Sequence, residues 1–221
     1  MQAKQTFTHY FALGDSISTD DYPGEGRGAA SLFYKHLRAI CSRLSFHCLA
    51  QDGATTIDVL HRQLSQLPQK LRGKPLFTLT AGGNDVLALQ AEAGEIIFRL
   101  QTIVKRLIHT YSNSVVIIGT IYDPTDTIGD LMEDQPTLIR ELACVTEVNE
   151  TIRNMEGSNV AVADIYAHFL GHGSHSKDPQ NPWYHPEDPS LWYLMDIEPN
   201  VRGAKEACSL FEQAFTKIVQ R

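Results

Sequence analysis

Short runs of β-branched, aromatic and aliphatic residues alternate along the chain with longer stretches in which apolar residues recur every third or fourth position. Five runs have the length and character of strands: Phe7–Leu13, Phe46–Ala50, Pro75–Thr80, Ser114–Ile121 and Asn159–Ile165. After the first, Leu32, Phe33, Leu37, Ile40, Cys41 and Leu44 recur at helical spacing, and after the second a shorter helix places Ile57, Leu60 and Leu64 on one side. The clearest amphipathic pattern follows the third run, with Ile96, Ile97, Leu100, Ile103, Val104, Leu107 and Ile108. Leu138, Leu142, Val145, Val148, Ile152 and Met155 make another, and the last helix starts near Gly203 and buries Ala207, Cys208, Phe211, Ala214, Phe215 and Ile218. Each has the 3.6-residue period of a helix with one face on a sheet. Strand–helix alternation through the whole chain predicts an α/β protein with a parallel sheet covered on both faces. Right-handed crossovers then favour the strand order 2-1-3-4-5, which puts the carboxyl end of the first strand at the switch point where such sheets hold ligands.

Composition narrows the function more than the fold. At 221 residues, with 43% apolar and 20% charged side chains, residues 1–221 are expected to form a single domain with a sizeable core. A net charge of −7 argues against a nucleic-acid partner, which would need a basic face. No apolar run approaches the ~18 residues of a membrane span. The opening MQAKQTFTHY has no signal-type apolar segment, so a cytoplasmic location is expected. Cys41, Cys48, Cys144 and Cys208 are scattered without C-x-x-C spacing, which suits free thiols better than bridges or zinc.

The chemistry-bearing stretch is HYFALGDSISTDD, His9 to Asp21. A strand that ends in Gly14-Asp15-Ser16 delivers a hydroxyl to the carboxyl rim of the sheet, although Gly, Asp and Ser also make ordinary turns. The runs after the second and third strands, Gln51-Asp52-Gly53-Ala54-Thr55-Thr56 and Ala81-Gly82-Gly83-Asn84-Asp85, flank that point in the expected order. As plain turns they need no further explanation, since Gly allows positive φ and Asn or Asp caps helices. As a site, a glycine N–H, an Asn amide and the N–H of Ser16 would surround a carbonyl oxygen as it becomes an oxyanion.

Gly14-Asp15-Ser16, Gly53, Gly82-Gly83-Asn84-Asp85 and the final Ile197-Glu198-Pro199-Asn200-Val201-Arg202-Gly203 together resemble the motif blocks of the SGNH (GDSL-type) hydrolases. The resemblance runs from Leu13 to the last helix. It implies a flavodoxin-like three-layer α/β/α sandwich that cleaves esters, with Ser16 as nucleophile and the Ser16 N–H, the Gly53 N–H and the Asn84 side chain as oxyanion hole. The last block departs from the family. Where the family carries its catalytic His this sequence has Glu198, and the position of the orienting Asp, three residues earlier, is Met195; Asp196 is displaced by one residue and no His follows His185.

A serine hydroxyl needs a neighbouring base to take its proton, and three readings compete. Glu198 acts as the base, if burial lifts a carboxylate that ordinarily titrates near ~4.3. Alternatively a His comes from the long segment at about 168–200, which carries His168, His172, His175 and His185 with Asp178, Glu187, Asp188 and Asp196 as partners. Of these His172, His175 and His185 are the candidate bases. In the third reading hydrolysis is lost and the chain is a binding module that keeps the oxyanion pocket.

The segment at about 168–200, roughly 30 residues with little periodicity, has the length of a lid or binding loop. Trp183, Tyr184, Trp192 and Tyr193 either pack it down or line an acyl or sugar pocket. A metal at His172, His175 and Asp178 is disfavoured by the surrounding Gly171, Gly173 and Ser174, and none is expected. The remaining rim candidates are Asp20, with Asp21 and Tyr22 beside it, Tyr122 and Asp123 in the Tyr122-Asp123-Pro124-Thr125-Asp126 turn, and Asp15, which also suits securing the turn below Ser16. A flavin or nucleotide site lacks its Gly-rich phosphate loop, and no cofactor is expected. The reading that results is a serine-dependent ester hydrolase acting on a small-molecule ester or an acylated carbohydrate.

Overall fold

The computed structural model describes residues 7–88, 90–130, 138–195 and 197–221. Five parallel strands, β1 (Phe7–Gly14), β2 (Ser45–Cys48), β3 (Lys74–Thr80), β4 (Val115–Gly119) and β5 (Val160–Ala163), pair in the order β2-β1-β3-β4-β5. This is the order that the alternation and the crossover rule predict. The second strand stops at Cys48, earlier than its sequence suggests, because Leu49 and Ala50 both turn their N–H groups onto the Ala12 carbonyl, at 2.8 and 3.0 Å.

Residues on alternate faces of the strands feed two separate cores, as the period of two requires. Tyr10, Ala12, Leu76 and Ile117 pack under α1 (Ala29–Ile40), through Phe33 and Leu37, and under α7 (Val201–Val219), through Phe211 and Phe215. Phe11, Leu13, Phe77, Leu79, Val116 and Ile118 pack under α4 (Ala93–Thr110) and α5 (Ile139–Arg153). A register shift between Phe7 and His9 against β3 lets Phe7 join Tyr10 and Ala12 on the first face despite its odd number. Three short helices, α2 (Thr56–Asp58), α3 (Gly83–Leu87) and α6 (Ile165–Phe169), lie in the connections after β2, β3 and β5. Two small strands, β6 (Tyr193–Leu194) and β7 (Glu198–Pro199), form an antiparallel ribbon just before α7.

The helical stretch after β2 departs from its expected face. Val59 and Gln63 are the fully buried positions, whereas Ile57 is exposed. Residues 59–63 wind as a π turn, which rotates the inward side away from the spacing of an α-helix. That rotation has a structural use. The Gln63 amide accepts from the Gly14 N–H at 2.7 Å and donates to the Gly14 carbonyl at 2.8 Å, in the manner of an adjoining strand. Asn149 of α5 does the same for Ile121 beyond β4, at 2.8 and 2.7 Å. Backbone groups at two buried strand ends are thereby satisfied by side-chain amides.

Replacing Gln63 by Leu orphans the Gly14 N–H, while the Gly14 carbonyl keeps the Gln51 N–H at 3.1 Å. At about 1–3 kcal/mol for an unsatisfied buried group, the expected loss is roughly 1–3 kcal/mol of stability, read from urea unfolding midpoints. A midpoint within error of wild type would show that this amide contributes nothing to closing the end of β1.

Candidate active site

Chain direction changes abruptly at the end of β1. Gly14 has φ 120°, and a Cβ there would lie 1.6 Å from the Thr80 carbonyl oxygen of β3, so no side chain fits. The Asp15 N–H then donates to that same carbonyl at 2.9 Å. Ser16 opens a short 3-10 turn, Ser16–Ser18, closed by Thr19, whose N–H and hydroxyl both bond the Ser16 carbonyl at 3.1 Å. The serine side chain is buried in the lining of a cleft, close enough to the Glu198 carboxylate to lower its pKa.

Glu198 reaches the cleft from the small ribbon, where Leu194 pairs with Glu198 and Tyr193 with Pro199. The buried Tyr122 hydroxyl donates to the Ile197 carbonyl at 2.6 Å and so pins the preceding residue. On the other side Asn200 caps α7, accepting from the N–H groups of Arg202 and Gly203 at 2.8 and 3.0 Å, while its amide donates to the Leu191 carbonyl at 2.8 Å. Glu198 itself is 9% exposed, and its Oε2 has no hydrogen-bond partner among the described residues. Burial raises its pKa, the Ser16 hydroxyl opposes the rise, and the carboxylates of Asp52 and Asp21 add to it.

Asp15 lies beneath this pair. Its Oδ1 is buried without a hydrogen-bond partner among the described residues. Burial lifts its pKa from 3.8 to about 7 against the lowering effect of the Thr80 side chain and the Ile17 N–H, and the Glu198 charge pushes upward as well. Two carboxyl groups thus share one poorly solvated site, a setting that favours retention of a proton.

Asn84, the second residue of α3, lines the cleft together with Ser16 and Glu198. One N–H of its amide is spent on the Ala54 carbonyl at 3.1 Å, which leaves the other available. The neighbouring Asp85 is fully buried and accepts from the Thr56 N–H at 2.7 Å and from the Thr56 hydroxyl at 2.5 Å, with Arg99 at 3.2 Å. These contacts tie the loop after β2 to the loop after β3. Gly53 stands at the exposed tip of the former with φ 71°, and it is not one of the residues that line the cleft. Neither its N–H nor that of Ser16 is taken by an acceptor among the described residues.

The structure does not bring the loop histidines to Ser16. His172 is buried face to face on Trp192, ring centroids 3.5 Å apart, with His185 stacked on its other side at 5.0 Å. Its Nδ1 pairs with the Ser190 carbonyl at 3.0 Å, and burial lowers its pKa. His175 bonds the Asp130 carbonyl, His185 the Leu170 carbonyl and His168 the Glu206 carboxylate. None of these lines the cleft, and Asp196 lies outside the described residues. The segment is packed down by its own polar contacts: Asp126 accepts from the N–H groups of Gly171 and Gly173 and from the Asn181 amide. Trp192 and Tyr193 are buried with it, whereas Trp183 is exposed. Among the described residues no His, Cys, Asp and Glu cluster could hold a metal ion.

Of the rim candidates, Asp15, Tyr122 and Asp123 line the cleft. Asp123 is occupied with the Thr125 N–H and hydroxyl and the Thr127 N–H, and Asp20 with the N–H groups of Gly26 and Gly28 and the Ser31 hydroxyl, so both carboxylates organise their own turns. Motif reading missed the apolar wall. Ile17, Val86, Leu87, Ile121, Leu142, Val145 and Ile165 surround a space of about 820 Å³, open mouth included. Leu142 and Val145 carry the helical period of a sheet-facing side, which does not distinguish core from cavity wall.

A serine hydroxyl, a carboxylate and an amide thus line one cleft at the end of the first strand of a doubly wound sheet. The sequence pattern of the GDSL-like lipase/acylhydrolase family matches residues 12–189 of the 221, and the chain belongs to that family of ester hydrolases. No curated protein matches the sequence significantly. Among solved structures, a lipolytic protein of the G-D-S-L family from Veillonella parvula superposes with a TM-score of 0.67 at 18% identity, covering 95% of this chain and 98% of that one. Phospholipase A1 from Streptomyces albidoflavus gives 0.62 at 21% identity, over 95% and 100%. A carbohydrate esterase of family 3 from Talaromyces cellulolyticus gives 0.65 at 13% identity, over 97% and 99%. Likeness at such identities concerns the fold. No helix among the described residues is long and apolar enough to cross a membrane.

The raised Asp15 pKa has a consequence for stability. Between about 4 and 7 the folded protein holds a proton that the unfolded chain has released, so stability falls as pH rises through that window. Unfolding free energies measured from pH 4 to 8 should decline across it, and Asp15→Asn should flatten the decline. A wild-type curve that rises instead would mean that Asp15 is ionised throughout.

Proposed function

We propose that the chain hydrolyses carboxylic esters with Ser16 as nucleophile and Glu198 as general base. One observation carries the reading: the Ser16 hydroxyl and a buried carboxylate whose pKa is raised lie side by side in the lining of a cleft with an apolar wall. In the ordinary solvated range a carboxylate is too weak a base to take a serine proton. Burial and the neighbouring Asp52 and Asp21 charges move Glu198 in the required direction.

In the first half-reaction Ser16 Oγ attacks the acyl carbon while Glu198 accepts the hydroxyl proton. The Ser16 N–H and the free N–H of Asn84 stabilise the oxyanion, with the unpaired N–H of Gly53 as the third donor of the set. Collapse of the tetrahedral intermediate passes the proton from Glu198 to the departing alkoxide and leaves an acyl-serine. Water, deprotonated by the same carboxylate, releases the acid and restores Ser16. Asp15, with its pKa lifted to about 7, holds a proton beside Glu198 on the acidic side of neutrality. While protonated it carries no charge and does not add to the rise of the Glu198 pKa. The apolar wall takes the acyl chain of a small ester or an acylated carbohydrate.

Hydrolysis of p-nitrophenyl butyrate tests the assignment. Ser16→Ala should lower kcat by about 10³-fold or more, and Glu198→Gln by about 10²–10⁴. Equal rates in wild type and Ser16→Ala would leave a binding module. Asn84→Ala should cost about 10²–10³ in kcat, as loss of an oxyanion donor does elsewhere. The acidic limb of kcat/KM should lie above the ordinary carboxylate range and vanish in Glu198→Gln. Should His185→Asn abolish turnover, the base belongs to the loop and not to Glu198.

A further inference from the structure

One helix of the cleft wall outruns the sheet it covers. The Asn149 amide of α5 accepts from the Ile121 N–H at 2.8 Å and donates to the Ile121 carbonyl at 2.7 Å, which fixes this turn of the helix just past the carboxyl end of β4. The turns ahead of Asn149 therefore have no strand beneath them, yet Leu138, Leu142 and Val145 keep the spacing of an apolar helical face. All three line the cleft, with Val86 and Leu87 of α3 in the same wall. Exposure falls along this face, from the half-buried Leu138 and Leu142 to the buried Val145, where the wall joins the core. Polar groups on the sheet side of the lining are already paired. The Thr120 hydroxyl donates to Asp164 Oδ1 at 3.0 Å and accepts from the Tyr166 N–H at 2.8 Å. That of Thr125 donates to Asp123 Oδ1 at 2.6 Å and accepts from the Gly129 N–H at 3.0 Å. Of the described α5 residues in the wall only Glu141 is polar. A polyhydroxyl group would find few free partners here, whereas an alkyl chain needs none.

We infer that the site prefers straight-chain acyl groups of about eight carbons to acetyl, and that the part of α5 beyond the sheet sets the chain length. This rests on the reading of Ser16 as nucleophile, and it adds the acyl specificity. Seven residues of helix, about 10 Å, separate Leu138 from Val145, and that is roughly the reach of an extended eight-carbon chain. An acetyl group would leave this face of α5 wet. Each further methylene covers more of it and should raise kcat/KM by about 2- to 4-fold. Leu142, midway along the face, and Val145, at its buried end, are the specificity-determining positions, because a larger side chain at either shortens the space open to the chain.

The dependence of kcat/KM on chain length, over p-nitrophenyl esters from acetate to dodecanoate kept below their aggregation concentrations, reads the inference directly. It should climb from butanoate to octanoate and gain nothing beyond decanoate. Leu142→Trp should cut the octanoate-to-acetate ratio by about 10-fold or more, and Val145→Phe should move the optimum to shorter chains. Such ratios are insensitive to the fraction of folded enzyme. Acetate as good a substrate as octanoate in wild type, or a profile unmoved in both variants, overturns the inference. So does faster hydrolysis of octyl acetate than of ethyl octanoate, which would put the alcohol portion in the pocket. Calorimetry on Ser16→Ala separates its failure from failure of the hydrolytic reading. Octanamide should bind at least about 10-fold more tightly than butanamide. That margin supports the acyl pocket even without turnover, and equal binding of the two amides refutes it.

Discussion

Everything at the site depends on how β1 ends. Gly14 can adopt its backbone conformation only because it lacks a Cβ; the Gln63 amide pairs both of its polar backbone groups, and the Gln51 N–H shares its carbonyl. The Asp15 N–H is anchored to Thr80 of β3 one residue later. With these three attachments the chain can leave the sheet sharply without stranding buried polar groups, and Ser16 emerges at a fixed point. Asn149 performs the equivalent service beyond β4, where Tyr122 begins its reach across to Ile197. Side-chain amides thus take over at the rim where the neighbouring strands have ended.

From that fixed point the electrostatics follow. A carboxyl group placed under a buried serine turn has few ways to be solvated, and Asp15 responds by holding its proton to about pH 7. Glu198 arrives on a two-residue ribbon, pinned by Tyr122 before it and by the Asn200 cap after it, and shares the same poorly solvated space. Two acids so placed cannot both be charged cheaply. Burial is what lifts the pKa of both, and the mutual repulsion of their charges adds to it at Asp15.

The packed loop between α6 and β6 stabilises this arrangement at its far end. The stack of His185, His172 and Trp192, with Asp126 gathering the N–H groups of Gly171 and Gly173, seats the backbone that leads into the ribbon. Trp192 then accepts the Asn200 N–H on its carbonyl at 2.9 Å, so the loop touches the very residue that caps α7. Its histidines hold shape, and their ring nitrogens are committed to backbone carbonyls and to Glu206.

Much of this was legible in the sequence. The five strands, their order and the helices covering both faces follow from apolar period and crossover handedness, because both are local or topological constraints that the residues state directly. Ser16, Asn84 and Glu198 were nameable because short motifs at strand and helix ends carry chemistry that turn geometry alone does not require. The histidines of the long loop were indistinguishable from candidate bases, since a ring stacked on an indole and a ring aimed at a hydroxyl have the same sequence. Gln63 gave no signal at all: a neutral amide in an amphipathic stretch reads as a surface residue until a π turn rotates it inward. Sequence by itself determined which elements form and which of their ends meet. Only tertiary structure decided which carboxylates lose their water and which go unpaired, because desolvation and the absence of counter-charge belong to the space between elements and to no residue within them.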